Sequence, residues 1–164
     1  MLHFAPEHHL SKRLRRAAGH YVSADLDADK ADLACDLETL PFADAEWDLI
    51  ICSHVLEHVA EDRRALSEMR RVLAPGGTAL LLVPIDDSRE TTYEDSALTT
   101  PEERSQAFWQ HDHVRLYGTD FAERVADAGF SVEQLSALEL LGDDRVARFG
   151  LIAGERVFAA HRST

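Results

Sequence analysis

Trp47-Asp48-Leu49-Ile50-Ile51-Cys52-Ser53 is an apolar run, interrupted by Asp48 and closed by Ser53. It is followed by the helix-spaced stretch Asp62 to Leu73, by Pro75-Gly76-Gly77, and by a second apolar run from Thr78 to Val83. Runs of this length with β-branched and leucine side chains fit strands buried on both faces. Between them, Asp62 to Leu73 reads as an amphipathic helix. The Pro-Gly-Gly triplet stops the helix and turns the chain. Strand, helix, strand over this length is a parallel βαβ crossover.

The alternation continues outward in both directions. Upstream, Leu2 to Ala5 reads as a short buried strand. His9 to Ala18 reads as a helix closed by Gly19, Tyr21 to Ala24 as a second strand running into Asp25-Leu26-Asp27, and Asp32 to Cys35 as a short third strand. Downstream, Asp86 to Thr100 is polar and aperiodic and reads as a long surface loop, the type of segment that serves as a lid. Thr119 to Ala128 is helical, capped near Thr119 or Asp120 and followed by Gly129. Phe130 to Leu135 and Arg156 to Ala160 are two closing strands, expected as an antiparallel pair. This is one α/β domain over 1–164, with 86–118 inserted as lid and specificity element.

Composition narrows the function. The chain has 164 residues, 45% hydrophobic, enough for one real core. Thirty acidic residues against 17 basic give a net charge of −13, which repels phosphate backbones and argues against general nucleic-acid binding. Two cysteines, Cys35 and Cys52, stand outside any CxxC pair, so neither a disulfide framework nor a cysteine zinc site is expected. The opening MLHFAPEHHL is not a signal peptide, and the longest apolar run is far too short to span a bilayer. A cytoplasmic location without membrane contact is expected.

Three pieces stand in order and register between Leu40 and Gly77: Leu40-Pro41-Phe42-Ala43-Asp44-Ala45-Glu46-Trp47-Asp48-Leu49-Ile50, Val55-Leu56-Glu57-His58-Val59, and Arg71-Val72-Leu73-Ala74-Pro75-Gly76-Gly77. Together they resemble a class I S-adenosylmethionine-dependent methyltransferase of the type 11 group. The resemblance implies a Rossmann-like, doubly wound, mostly parallel sheet with an antiparallel terminal strand. It also implies S-adenosyl-L-methionine as cofactor, bound beyond the C-terminal ends of the strands. On that basis Asp25, at the end of the second strand, matches the acid that holds the ribose hydroxyls. Asp36 matches the residue that meets the adenine amino group, with Leu37 beside it. Phe4, Leu26 and Ser53 flank them at neighbouring strand ends.

The first strand departs from the family pattern. Leu2-His3-Phe4-Ala5-Pro6-Glu7 has no glycine where the family has a glycine-rich turn. Ala5 stands in for the first glycine, a replacement that suffices if its φ is negative. Glu7 is placed to meet the cofactor's ammonium, replacing the acid usually found where His3 stands. The His-Phe-Ala-Pro-Glu opening together with Asp112-His113-Val114-Arg115-Leu116-Tyr117-Gly118 resembles a variant group of this family. The helix that usually precedes the first strand is absent, which leaves a sheet edge or face for a second copy and makes a homodimer the expected assembly.

Nine histidines include two suggestive groups. His54, Glu57 and His58 are spaced i, i+3, i+4, so a helix would put them on one face. With His113 they form a set that suits zinc, iron or nickel better than magnesium; the competing reading is packed, hydrogen-bonded histidines without an ion. His113 and, behind it, His54 are candidate bases for deprotonating an acceptor. His111, Arg115 and Tyr117 are candidate contacts to an anionic acceptor, since guanidinium pairs with carboxylate. Val83-Pro84-Ile85 should line the acceptor side. The expected activity is methyl transfer to a small-molecule substrate. The rivals are a non-catalytic methyltransferase-like partner module and a metal-dependent enzyme on the same fold.

Overall fold

The computed structural model describes residues 1–152 and 154–164. The elements in order are β1 (Leu2–Phe4), α1 (His8–Ala17), β2 (Val22–Asp25), β3 (Leu33–Ala34), β4 (Trp47–Ser53), α2 (Asp62–Val72), β5 (Leu73–Leu82), β6 (Tyr93–Glu94), α3 (Pro101–Phe108), β7 (Arg115–Leu116), α4 (Phe121–Asp127), β8 (Ser131–Ser136), α5 (Ala137–Leu141), α6 (Asp143–Phe149) and β9 (Arg156–His161). Seven strands make one sheet in the order β3-β2-β1-β4-β5-β9-β8. The pairs from β3 through β5 are parallel, and β9 runs antiparallel to both β5 and β8. Among the described residues no helix is long and apolar enough to cross a membrane.

The β4–α2–β5 unit forms the centre, as the alternating runs imply. The apolar stripe of α2 (Ala65, Leu66, Met69, Val72) is fully buried against β4 and β5, and each such side chain contributes about 1.5–3 kcal/mol for the larger residues. Opposite that stripe, the Arg71 guanidinium binds the carbonyls of Leu40 and Phe42 and the carboxylates of Asp44 and Glu68, fixing the approach to β4. Pro75-Gly76-Gly77 does not stand free as a turn. It is a bulge at the start of β5, where Trp47 pairs with Leu73 but Leu49 pairs with Thr78. A Cβ on Gly77 would lie 2.9 Å from the Ala74 carbonyl oxygen and 3.0 Å from that of Asp48, so only glycine lets the two strands converge there.

Several expectations need correcting. The Asp86–Thr100 loop carries a short strand that was not expected, β6, which pairs antiparallel with β7, and α3 lies between the two strands. Helix α3 starts with a complete capping box, in which the Thr100 side chain accepts from the Glu103 N–H and the Glu103 carboxylate reaches back. Asp120 precedes α4 but does not cap it with its side chain; its carboxylate accepts from the Thr92 N–H and hydroxyl instead, closing the insertion onto α4. Helix α1 ends at Ala18 in extended backbone, not through a left-handed Gly19. The strand at the chain's start is interior to the sheet. β1 lies between β2 and β4, and the edges are β3 and β8.

Candidate functional site

Parallel strands deliver their C-terminal ends to one side of the sheet, and helix N-termini with connecting turns gather there. The ends of β1, β2, β3 and β4 accordingly enclose a cleft of about 560 Å³. Six of the eight residues expected to hold the cofactor line it: Phe4, Ala5, Asp25, Leu26, Asp36 and Leu37. Glu7 and Ser53 do not. The Glu7 carboxylate turns to His3, with Oε2 at 3.1 Å from Nε2, while His3 Nδ1 meets the Tyr21 hydroxyl at 2.9 Å. Burial holds the His3 imidazole below its ordinary pKa despite the neighbouring Glu7.

The turn after β1 keeps a glycine-like backbone without glycine. Ala5 has φ of +44°, so the condition of a negative φ is not met, and its N–H donates to the Ala24 carbonyl at 2.9 Å. This lets the chain turn sharply beside the cleft at a steric cost of about 1–2 kcal/mol. His54, at the end of the neighbouring β4, also sits at positive φ, +53°, with its N–H on the Leu82 carbonyl.

The carboxylates at the cleft are only partly engaged. Asp25 Oδ1 accepts from the Asp27 N–H and Asp36 Oδ1 from the Glu38 N–H, each leaving one oxygen uncommitted. Leu26 is 78% exposed beside them while Leu37 is buried, so apolar surface and free acceptor oxygens lie side by side. That donor-hungry, half-apolar lining fits an adenosyl group with a ribose diol and a flat purine. Val55, Val59, Cys35 and Asp112 also line the cleft and were not anticipated; no local spacing announces them.

The histidines divide. Residues 54–60 form turns rather than a helix, so His54, Glu57 and His58 do not share a helix face. His54 lines the cleft half-exposed, with Nδ1 3.1 Å from Glu57 Oε1; that hydrogen bond raises its pKa against the opposing effect of burial. His113 is buried and its Nδ1 meets the Phe108 carbonyl at 2.9 Å, with burial lowering its pKa. Glu57, His58 and His113 each offer a ligand atom within 4.8 Å of the others, and His54 is outside that group. His111 is exposed and does not line the cleft.

Arg115 and Tyr117 are turned inward, away from any acceptor. The Arg115 side chain is 4% exposed and donates to Glu94 Oε1 at 2.7 Å and to the carbonyls of Leu56, Val59 and Ala60. The Tyr117 hydroxyl donates toward Asp62 Oδ2 at 2.9 Å and the Leu56 carbonyl at 3.1 Å. Arg124 completes the network with a two-pronged pair to Asp62. Burial pushes the Asp62 carboxyl up, but Arg124, Arg115 and the Tyr117 hydroxyl outweigh it and hold it below its ordinary range. The network fastens the β6–β7 ribbon to the turn that carries Glu57 and His58.

A seven-stranded sheet with one antiparallel strand next to its edge, and a cleft of this lining at its parallel strand ends, defines the class I S-adenosylmethionine-dependent methyltransferase fold. Residues 8–81 match the methyltransferase domain model Methyltransf_11, and the fold of the chain is that of the class I methyltransferases. The chain is 29% identical over 130 residues to the ubiquinone/menaquinone biosynthesis C-methyltransferase UbiE of Bordetella avium, covering 73% of this chain and 46% of that protein. Among solved structures, a chain of the complex between the Haloferax volcanii Trm112 methyltransferase activator and a methyltransferase superposes with a TM-score of 0.69 at 18% identity, covering 99% of this chain and 82% of that one. Burkholderia thailandensis 1,6-didemethyltoxoflavin-N1-methyltransferase, with bound 1,6-didemethyltoxoflavin and S-adenosylhomocysteine, superposes with a TM-score of 0.66 at 15% identity, covering 99% and 71%. The chain spans about half or less of the length of the curated relatives it matches.

Proposed function

We propose that the chain transfers a methyl group from S-adenosyl-L-methionine to a small-molecule acceptor. The observation that carries this reading is the cleft itself, where Asp25 and Asp36 each present an uncommitted carboxylate oxygen beside Ala5, Leu26 and Leu37. Asp25 would accept the ribose diol, Asp36 the adenine amino group, and the two leucines would cover the ring. When bound, the cofactor supplies a methyl group already activated by its sulfonium. The chain's own work is therefore positioning and exclusion of water. His54 lines the same cleft and is anchored through Nδ1 by Glu57, which leaves Nε2 to take the proton of an acceptor hydroxyl. His113, the first candidate for that role in the sequence, is buried behind it. A cleft of about 560 Å³ and a net charge of −13 favour a small acceptor over a polyanion. Self-association across the face beside α1, which buries none of its own residues, belongs to the same reading and is checked by sedimentation velocity.

The test is calorimetric titration with S-adenosylmethionine and its demethylated product. We expect micromolar binding, weakened roughly 10- to 150-fold by Asp25→Ala, the value of a hydrogen bond to a charged group. Folded protein that binds neither compound would overturn the enzyme reading and leave the partner-module alternative. Binding justifies an acceptor screen in which His54→Ala should lower turnover for hydroxyl acceptors while leaving cofactor affinity unchanged.

A further inference from the structure

We infer that Glu57, His58 and His113 form a binding site for one divalent transition-metal ion on the wall of the cleft. Their ligand atoms lie within 4.8 Å of one another. Small side-chain rotations bring such a set to the ~2.0–2.2 Å at which imidazole nitrogen and carboxylate oxygen bind zinc.

A second observation points to the same place. Glu57 is 1% exposed, and its Oε2 has no hydrogen-bond partner, although Oε1 is met by His54. A buried carboxylate oxygen without a donor is expensive, and a cation is the partner that satisfies it. Both imidazoles are also oriented for ligation. His113 Nδ1 is held by the Phe108 carbonyl, and His58 Nδ1 lies 3.4 Å from Asp112 Oδ2. Each therefore keeps Nε2 for the ion, with a carbonyl or carboxylate behind it, the arrangement that fixes tautomer and raises basicity in metal-binding histidines. The rings pack edge to face with centroids 4.7 Å apart.

The backbone builds this site from two distant segments. The Val114 N–H donates to the Glu57 carbonyl, docking the 111–114 stretch on the 55–58 turn. Arg115, two residues beyond His113, then clamps the carbonyls of Leu56, Val59 and Ala60, which flank Glu57 and His58. The ligands are thus held by a network in which Arg115, Tyr117 and Asp62 are buried. Two imidazoles and one carboxylate select zinc or iron(II) over magnesium or calcium, and three protein ligands leave a coordination position open. Since His58 lines the cleft, that position opens toward it, where an oxygen or nitrogen of a bound molecule can enter. His54 is not a ligand; its Nδ1 meets the other Glu57 oxygen, Oε1.

The site is independent of cofactor binding, so it is tested with metal alone. Chelator-treated, buffer-exchanged full chain is titrated with Zn²⁺ against a chromophoric competitor, and Co²⁺ is added separately to read visible d–d absorption. We expect one ion per chain. His58→Ala, at a half-exposed position, should weaken binding by more than about 100-fold, and Asp112→Asn by roughly 10-fold, as for outer-shell partners. His113→Ala should abolish the Co²⁺ bands. Circular dichroism and melting of the metal-free variants separate lost ligands from lost fold. If His113→Ala fails to fold, the half-exposed His58 decides. A His8→Ala/His9→Ala pair on the outside of α1 should leave binding unchanged. Absence of saturable one-to-one binding, or binding that survives His58→Ala or vanishes with His8 and His9, overturns the site.

Discussion

Replacing Arg115 with methionine keeps an unbranched apolar stem but removes the guanidinium, and with it the charge and every donor. Four hydrogen bonds go, to Glu94 and to the carbonyls of Leu56, Val59 and Ala60. The site is 4% exposed, so water does not readily replace the lost donors. Removing one partner of a buried ion pair costs about 3–5 kcal/mol. Here Arg124 still pairs with Asp62 and reaches Glu94, so neither carboxylate is orphaned and the lower end applies, about 3 kcal/mol. For a domain of this size that is a melting temperature lower by roughly 6–12 °C. Urea unfolding followed by circular dichroism should show the midpoint shifting at constant slope. Arg115→Lys should rescue little, because one ammonium cannot serve three carbonyls and a carboxylate in the directions of a planar fork. Arg15→Ala, which breaks the exposed pair with Asp32, should cost no more than about 1 kcal/mol. A loss below about 1 kcal/mol for Arg115→Met, or one equal to that of Arg15→Ala, would refute the view that this network ties the insertion to the site.

Three further outcomes follow. Ala5→Gly relieves a positive φ of 44° and should raise stability by about 0.5–1 kcal/mol with cofactor affinity retained; a lower urea midpoint would show that the Ala5 methyl packs usefully. Gly118→Ala places a Cβ 2.7 Å from the Thr91 carbonyl carbon and 2.9 Å from the Arg89 carbonyl oxygen, and should cost about 1–3 kcal/mol and speed hydrogen exchange at the Thr119 N–H, which is bonded to Arg89; unchanged exchange would contradict it. Stability should fall on acidification in two windows. The folded state holds His3 below its ordinary pKa, with Tyr21 and Glu7 facing its ring, so the stabilisation is complete above about pH 6.5 and is lost as the unfolded chain takes up a proton below it. Asp62, held below the usual carboxylate range, adds a second loss beneath about pH 4, and a flat urea midpoint between pH 7.5 and 5.5 would count against the His3 assignment.

The central crossover was legible because β4, α2 and β5 are long enough to show a period, and the mostly parallel sheet with its antiparallel terminal strand followed from the family resemblance of residues 40–77. The insertion was not. Its strands Tyr93–Glu94 and Arg115–Leu116 are two residues each, too short to carry alternation, and they form only because each borrows the other. The helices had readable signals that went unused: Thr100-Pro101-Glu102-Glu103 and Ser136-Ala137-Leu138-Glu139 are both capping boxes in the structure. In the site, Asp25 and Asp36 could be placed because strand ends fix what faces the cleft. Arg115 and Tyr117 could not, since their partners lie 55 to 61 residues earlier in the chain and no local pattern encodes that approach. An arginine and a tyrosine after a histidine pair look the same whether they face a substrate or a carbonyl.

The absence of glycine from the first turn raises the question of whether the cleft has lapsed. Among the described residues four non-glycine residues adopt positive φ: Ala5, Ala45, His54 and Trp109. Two of them, Ala5 and His54, line the cleft from adjacent strand ends. Each costs of order 1–3 kcal/mol and persists only where surrounding contacts over-determine it. At both positions the backbone N–H is held by the neighbouring strand, on Ala24 and on Leu82. A turn free to relax would give up such a conformation, because a sequence without glycine has every steric reason to open it. Here the backbone shape that glycine usually provides is enforced by strand pairing instead. The strain therefore argues for a cleft maintained in working shape, with the alanine methyl and the histidine ring added to its wall.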